Sequence, residues 1–233
     1  MTVLDYREKL RSFKEWDRFL IENSGLPGKR GNIELGKAVA EEGDQKLFLR
    51  YLTFVEKIAP ANTPQEFFAF CGILGLGRLL SEGQYEFLPI IKTHASDNRW
   101  RTREAVAMAL QRWGEKDIVR LLNEMESWSR GNLFEKRAAA AALCEPILLT
   151  EIAVVEGVLK ILQQITSSLL EVVNRKAEAF RVLKKGLGYC WSIAIAAYPE
   201  KGKQYFESWL NCPDADIRWI LKENLKKIGR AHV

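Results

Sequence analysis

The chain has 233 residues, of which 47% are hydrophobic and 28% are charged, a composition that supports a folded core and excludes an intrinsically disordered chain. It contains only two histidines, His94 and His232, so we do not expect a histidine-based metal site or a Ser-His-Asp triad. The net charge of +5 is unevenly placed, because residues 1–180 hold 25 basic and 25 acidic residues whereas residues 181–233 hold 10 and 5. This basic C-terminal third is either a well-solvated surface or a site for an anionic partner.

The N-terminal residues, the apolar runs and the cysteines indicate the cellular compartment of the protein. The N-terminus is charged within its first five residues, and no apolar run approaches the roughly 20 residues that span a bilayer. We therefore expect a soluble, cytoplasmic protein that has no membrane partner. The four cysteines lack the spacing of a metal or redox motif, and we expect buried, reduced thiols and neither a metal nor a cofactor. They are Cys71, Cys144, Cys190 and Cys212.

Apolar residues recur at helical spacing along the chain, without sustained alternation, and this pattern predicts an all-α fold. In the N-terminal part, the spacing predicts one helix over about residues 4–23. A second helix is expected from the capping residue Asn32 to near Gly43, and a third over about residues 45–59. We interpret residues 1–63 as an N-terminal helical cap.

The glycine-rich segment 25–32 resembles a phosphate-binding loop only superficially. Such a loop needs a glycine six residues before its lysine and a serine or threonine after it, but Asn23 and Arg30 occupy those positions around Lys29. The segment is therefore predicted to be an interhelical turn with two exposed cations, with contact to a partner as the alternative.

Beyond residue 63 one helical pattern recurs. Residues 102–114 combine a small or β-branched residue, an arginine, a run of apolar residues and a terminal glycine, and residues 217–229 repeat this order. Weaker copies begin near Lys136 and at Arg175. The copies follow one another at intervals of 33, 39 and 43 residues. Small residues in such a helix allow close approach between helices, and repeats at intervals of this length are typical of a solenoid.

This pattern resembles the inner helix of a HEAT repeat. The resemblance implies a right-handed α-α superhelix of about five helix pairs over residues 64–233, as one continuous domain with the N-terminal cap. It also implies a ladder of polar pairs at the turns, for which Asp97 with Arg103 fits, as does Arg218 with either of two aspartates, Asp214 and Asp216. We expect these residues to have an architectural role.

A more distant resemblance concerns the HEAT-like alkylpurine DNA glycosylases, which hold a damaged nucleotide against tryptophans and use a nearby carboxylate. Trp100 with Glu104, and Trp219 with Glu223, place a tryptophan and a carboxylate four residues apart and thus on one helix face. Under this alternative Glu104 and Glu223 are the catalytic candidates, and the basic C-terminal third binds nucleic acid. A third resemblance, to HEAT-like bilin lyase subunits, comes without an identifiable chromophore-attachment residue.

The leading hypothesis is a non-enzymatic scaffold that binds a protein or peptide on the concave face formed by its inner helices. Interfaces use aromatic anchors and arginines within a polar rim, and the residues expected to be exposed for this role include several of each type. They are Arg99, Trp100, Glu104, Met108, Gln111, Arg137, Lys176, Phe180, Trp219, Lys222 and Lys226.

Overall fold

The computed structural model describes residues 1–228, and within this range it contains α-helices and short 3-10 turns without a β-strand. The expected all-α fold is thereby confirmed. The chain divides into two compact units, an N-terminal unit of Met1–Trp113 and a C-terminal unit that begins at Gly114. The predicted cap of residues 1–63 stays a prediction.

The N-terminal unit is built from consecutive short and medium-length helices. In chain order they are α1 (Val3–Ser12), α2 (Asp17–Asn23), α3 (Ile33–Glu42), α4 (Gln45–Leu52), α5 (Glu66–Ser81), α6 (Leu88–His94) and α7 (Trp100–Gly114), the last ending one residue beyond the unit.

The single helix predicted over residues 4–23 is wrong, because the chain breaks between α1 and α2. Phe13 adopts an extended backbone conformation after α1. The indole N–H of Trp16 donates to the carbonyl oxygen of Leu10 at 2.9 Å, which satisfies one of the acceptors left at the end of α1. The same oxygen also accepts from the backbone N–H of Phe13 at 3.1 Å, so the last turn of α1 is closed by one backbone donor and one side-chain donor. The third predicted helix is also too long, since α4 ends at Leu52.

Within the N-terminal unit α1, α3 and α5 lie side by side in the same direction. The side chain of Asn32, before α3, donates to the hydroxyl of Tyr6 near the start of α1, and Arg11 near the end of α1 binds Glu42 at the end of α3. Arg78 of α5 likewise donates to a carbonyl oxygen near the end of α3.

Close approach between helices of this unit depends on glycine. A Cβ atom on Gly77 of α5 would lie 2.6 Å from both Cα and Cβ of Ala109 in α7, and one on Gly75 would lie 2.2 Å from the ring of Phe48 in α4. Both glycines therefore allow a neighbouring helix to approach more closely than any other residue would.

The C-terminal unit continues with helices joined by short connections. They are α8 (Ile118–Trp128), α9 (Leu133–Leu143), α10 (Ile152–Ser168), α11 (Glu178–Ala197), α12 (Pro199–Glu207) and α13 (Ala215–Ile228).

The limits of α11 differ from those of the pattern copy at Arg175, whose terminal glycine would be Gly186. The helix begins at Glu178 and continues to Ala197. A glycine inside a helix destabilises it by about 1 kcal/mol relative to alanine. Trp191 and Ile195 follow Gly186 in the helix and are buried, and the free energy gained from burying them exceeds the cost of the glycine.

Within this unit α9, α11 and α13 also lie side by side in the same direction. The thiol of Cys190 in α11 donates to the carbonyl oxygen of Ala140 in α9, and the backbone N–H of Ser192 donates to the side chain of Asn224 in α13 at 2.8 Å. Five consecutive alanines, residues 138–142, give α9 the small side chains that this close contact needs.

The segment formed by α10 and the 3-10 turn that follows it corrects, by length and composition alone, the expectation that no segment is long and apolar enough to span a bilayer. Residues 152–171 have a mean hydropathy of 1.2 over their most apolar window, and half of that window is buried inside the protein. Such a helix is also what the core of a globular unit contains. The helix-ending glycine expected at residue 229, the cation Arg230 and His232 lie outside the described residues.

Candidate binding surfaces

A cavity of about 300 Å³ opens in the N-terminal unit between the 25–32 turn and the helices α3, α5 and α7. Its size is at the lower end of the range for small-ligand sites. The apolar side chains that line it are Leu26, Ile33, Phe67, Phe70, Trp100 and Met108, and the charged ones are Arg30, Glu66, Arg101 and Glu104.

A buried ion pair forms the polar part of the cavity lining. The side chain of Glu66 is fully buried, and one of its oxygens, Oε2, accepts from Nη1 of Arg101 at 3.1 Å and from the backbone N–H of Asn62 at 2.6 Å. Among the described residues, the other oxygen of Glu66, Oε1, and Nε of Arg101 have no hydrogen-bond partner. Most buried polar atoms are paired, so this ion pair is only partly satisfied by hydrogen bonds.

The turn that closes the cavity is fixed by hydrogen bonds. The backbone N–H of Asn32 donates to the carbonyl oxygen of Ser24 at 2.8 Å, and that of Gly28 donates to the side chain of Asn62 at 3.0 Å. Arg101 donates to the carbonyl oxygen of Gly28. The cavity is therefore preformed. The turn exposes Lys29 and Arg30, as the sequence predicts.

Three of the predicted binding residues gather at this cavity. Trp100 is 48% exposed, Glu104 and Met108 are half-buried, and all three line the cavity. The guanidinium of Arg101 lies 4.5 Å from the ring centroid of Trp100, so one face of the indole is covered. Gln111, one helical turn beyond Met108, is half-buried.

The expected exposure of Arg99 is wrong. This side chain is 1% exposed, and it binds the Asp97 carboxylate at 2.7 Å and the carbonyl oxygens of Phe54 and Ala59. Burial raises the pKa of Asp97, but hydrogen bonds from Arg99 and His94 outweigh it, so that the pKa is well below its usual range. The Asp97 carboxylate thus binds Arg99 where the sequence predicted Arg103, which donates to the backbone carbonyl of Asp97.

In the C-terminal unit, α11 and α13 present two parallel rows of exposed cations. On α11 the row is Arg181 and Lys185, followed at the same spacing by Tyr189, which is 50% exposed. On α13 the row consists of Arg218, Lys222 and Lys226, with the 52% exposed Leu225 beside it. Residues four apart lie on one helix face, and the two helices are neighbours, so the rows form one basic surface, called here the α11–α13 face.

Trp219 and Glu223 border the α11–α13 face. Both side chains approach Gly188 of α11, and the ammonium of Lys184 lies 4.7 Å from the ring centroid of Trp219, which is half-buried. Glu223 accepts from Lys226 at 2.6 Å. This hydrogen bond lowers the pKa of Glu223, so the carboxylate stays ionised near neutral pH.

The remaining predicted residues occupy different environments. Phe180 is 1% exposed and packs in the core of the C-terminal unit, so its expected exposure is wrong. Lys176 is exposed but precedes α11 instead of lying on it, and Arg137 of α9 is half-buried.

The polar pairs predicted at the C-terminal turns also differ from expectation. The carboxylates of Asp214 and Asp216 bind Arg175 at 2.6 and 2.9 Å, and Asp216 also binds Lys184 at 2.9 Å. Arg175 and Lys184 lie in the preceding copy of the helical pattern, whereas the sequence predicted that one of these aspartates pairs with Arg218. The pairs thus join neighbouring helices of the unit.

Sequence reasoning missed Glu66, Arg101, Phe67 and Phe70 as cavity residues. A signal was present, since Glu66 begins a helix that is apolar on all sides, and a carboxylate in such a helix needs a buried partner. The tertiary structure alone decides which distant cation pairs with this carboxylate.

Among residues 1–228, no group of three or more His, Cys, Asp or Glu side chains could hold a metal ion. Comparisons of the chain with protein-family models, curated proteins and solved structures give no match. The geometry therefore defines an all-α protein with a small cavity in one unit and a basic helical face in the other.

Proposed function

We propose that this protein is a non-enzymatic, HEAT-like interaction module that binds an acidic segment of a protein partner on the α11–α13 face. The HEAT-like architecture is supported by α1, α3 and α5 in one unit, and by α9, α11 and α13 in the other, because successive helices of each set run side by side in one direction. This is the order in which inner helices stack in such repeats.

The observation that carries the proposal is the pair of cation rows on α11 and α13. Cations one helical turn apart are about 6 Å from each other, and packed helices are about 8–10 Å apart. An acidic amphipathic helix has carboxylates at the same spacing and can meet both rows. Tyr189 and Leu225 add apolar surface beside the cations, which suits a partner that carries apolar side chains between its carboxylates.

The test measures, by fluorescence anisotropy, the binding of a dye-labelled acidic amphipathic peptide that has glutamates at positions i and i+4. A scrambled peptide of the same composition is the control ligand. The double variant Lys185→Glu/Lys222→Glu is expected to weaken binding at least ~10-fold, because attraction becomes repulsion at two positions. Binding is expected to weaken further as salt is raised.

The matched control is Lys201→Glu/Lys203→Glu, which makes the same change of charge on α12. It is expected to change the affinity by less than about 2-fold, because screening limits the reach of exposed charges. Equal losses in both double variants, or equal affinity for the scrambled peptide, would show that net charge alone drives binding and would contradict the proposal.

A second candidate function is nucleic-acid binding, which the same cation rows and the aromatic Tyr189 favour. Replacing the peptide by a labelled single-stranded oligonucleotide in the same assay separates the two. Tighter binding of the oligonucleotide, lost in Lys185→Glu/Lys222→Glu, would support this function instead. Base release from alkylated DNA that is abolished by Glu104→Gln or Glu223→Gln would extend it to a glycosylase.

A further inference from the structure

The cavity of the N-terminal unit has features that the α11–α13 face on the other unit does not explain. Its walls are formed mainly by aromatic and aliphatic side chains, and the turn that closes it carries an exposed cation, Arg30. The walls and this cation together indicate the chemistry of a ligand.

The apolar walls indicate a flat aromatic ligand. The rings of Phe67 and Phe70 are stacked with centroids 5.7 Å apart, and the indole of Trp100 and the thioether of Met108 also line the cavity. Aromatic rings gain from packing against aromatic faces and against sulfur. A cavity of roughly 150 Å³ holds one benzene ring, so a cavity of about 300 Å³ admits a ligand of two fused rings.

The charges at the cavity indicate an anionic group on this ligand. The guanidinium of Arg101 binds the buried carboxylate of Glu66, and Glu104 is engaged in an interaction of its own. Arg30 is exposed and has neither a hydrogen bond nor an ion pair through its side chain among residues 1–228. Within the described range, its charge is therefore the one left for a ligand.

Arg30 belongs to a part of the turn that lies beside the aromatic wall. The next residue, Gly31, also lines the cavity, and a Cβ atom on it would lie 3.8 Å from the ring of Phe67 and 4.0 Å from Cδ of Arg101. In the described part of the chain, the backbone N–H groups of Arg30 and Gly31 donate no hydrogen bond. A guanidinium beside free backbone N–H groups favours an anion, and its fork of donors matches the two oxygens of a carboxylate.

We propose that this cavity binds an aromatic carboxylate of two fused rings, whose carboxylate is bound by Arg30 at the mouth. The ring system packs against Phe67, Phe70 and Trp100. The carboxylate stays at the open side, where it keeps part of its hydration and avoids the cost of burying a charge. The site is separate from the α11–α13 face, and neither proposal depends on the other.

The chain offers a sharp reporter, because it has three methionines, Met1, Met108 and Met125. Met108 lines the cavity, whereas Met125 is fully buried in the C-terminal unit and serves as the internal control. Protein labelled with ¹³C at the methionine methyl groups is titrated with indole-3-acetate, and the Met108 signal is assigned with Met108→Leu.

Indole-3-acetate is expected to shift the Met108 signal saturably with a Kd on the order of 0.1–1 mM, as for other ligands of this size, and to leave the Met125 signal in place. Indole-3-acetamide has nearly the same shape without the charge. It is expected to bind at least ~3-fold more weakly, because it loses the charge-assisted hydrogen bonds to the guanidinium. No saturable shift of Met108, or equal affinities of the two ligands, would overturn the proposal.

The aromatic carboxylate can be a free molecule or the C-terminal residue of a peptide. N-acetyl-L-tryptophan carries the same ring and a carboxylate at the end of a peptide backbone, and its affinity relative to indole-3-acetate tells these sources apart. Tighter binding of indole-3-acetate supports a free small molecule, and tighter binding of N-acetyl-L-tryptophan supports a peptide C-terminus.

Arg30→Gln separates the role of the cation from that of the walls. It is expected to lower the affinity for indole-3-acetate to that for indole-3-acetamide, and to change the affinity for indole-3-acetamide by less than ~2-fold. Lys29→Gln is the matched control, since Lys29 is the adjacent exposed cation and does not line the cavity; it is expected to preserve the preference for the carboxylate. A preference that survives Arg30→Gln, or that is lost equally in Lys29→Gln, would contradict binding by Arg30.

Trp100→Ala tests the aromatic wall. It is expected to weaken the binding of both indole ligands at least ~5-fold, and since Trp100 is 48% exposed, the variant is expected to keep the fold. Unchanged affinity for both ligands in this variant would contradict the proposed wall. Lys185→Glu/Lys222→Glu is expected to leave the Met108 response unchanged, which keeps this outcome distinct from that of the peptide assay.

Discussion

At the residue scale, the N-terminal unit depends on charged side chains that are buried together. Arg99 is among the largest fully buried side chains, and its guanidinium is held by Asp97 and by two backbone carbonyl oxygens. A buried ion pair adds little stability relative to apolar residues, but removal of one partner leaves an uncompensated charge. The pair therefore fixes the turn before α7, and with it the position of Trp100 at the cavity.

Asp97→Asn is expected to lower the free energy of unfolding by ~3 kcal/mol, because Arg99 stays buried without its carboxylate. Urea denaturation at pH 7 measures the loss. Asp44→Asn is the matched control, since Asp44 is an exposed helix N-cap and asparagine caps equally well. A similar loss in both variants would contradict a special role for the buried pair.

The same pair makes stability depend on acid. Because the folded-state pKa of Asp97 is lowered, its ionised form stabilises the protein above the unfolded pKa of about 3.9, and this contribution is lost as the pH falls towards the folded pKa. The difference in stability between the wild type and Asp97→Asn is therefore expected to be full at pH 7 and to shrink below about pH 4. A difference in stability between the two proteins that stays constant from pH 5 to pH 3 would contradict a lowered pKa of Asp97 in the folded protein.

At the element scale, the decisive feature is how closely neighbouring helices approach. Gly77 of α5 touches Ala109 of α7 with no room for a methyl group, whereas a Cβ atom on Gly186 of α11 would meet only a carbon of Arg137 at 3.9 Å. Both glycines lie inside helices. The sequence showed both glycines, but only the contact partner tells which one is needed for packing.

Gly77→Ala is expected to destabilise the protein by ~1–3 kcal/mol, because the added methyl group overpacks the helix contact. Gly186→Ala is the control and is expected to stabilise by up to ~1 kcal/mol through the higher helix propensity of alanine. Urea denaturation measures both effects, and effects of the same sign would contradict this interpretation.

At the scale of the whole molecule, the two compact units carry different candidate surfaces and different buried thiols. Cys71 is buried in the N-terminal unit, Cys144 and Cys190 are buried in the C-terminal unit, and Cys212 is half-buried. Burial raises the pKa of Cys71 and of Cys144, which keeps both thiols protonated and unreactive.

Alkylation of the native full-length chain is expected to modify Cys212 first, with the three buried thiols slower by a factor on the order of 100 or more. Gly77→Ala is expected to accelerate labelling of Cys71 and to leave Cys144 and Cys190 unchanged, because it weakens only the N-terminal unit. Mass spectrometry of each cysteine peptide gives the rates. Equal acceleration at all three buried sites would show that the two units open together.

Prediction of the fold from sequence succeeds where the information is local. The apolar spacing identifies α7 and α13, and the four-residue spacing of Trp100 and Glu104 places both side chains on one face of α7. It fails where a distant side chain intervenes, as when Trp16 ends α1.

The sequence by itself determined the all-α class and the faces of the helices, because helical periodicity is a property of residues three and four apart. The tertiary structure alone decided that Arg99 and Phe180 are buried, and that Glu66 meets Arg101 beside a cavity. It also decided that the cations of α11 and α13 form one surface. These facts depend on which helices become neighbours, and that is set by packing between residues far apart in the chain.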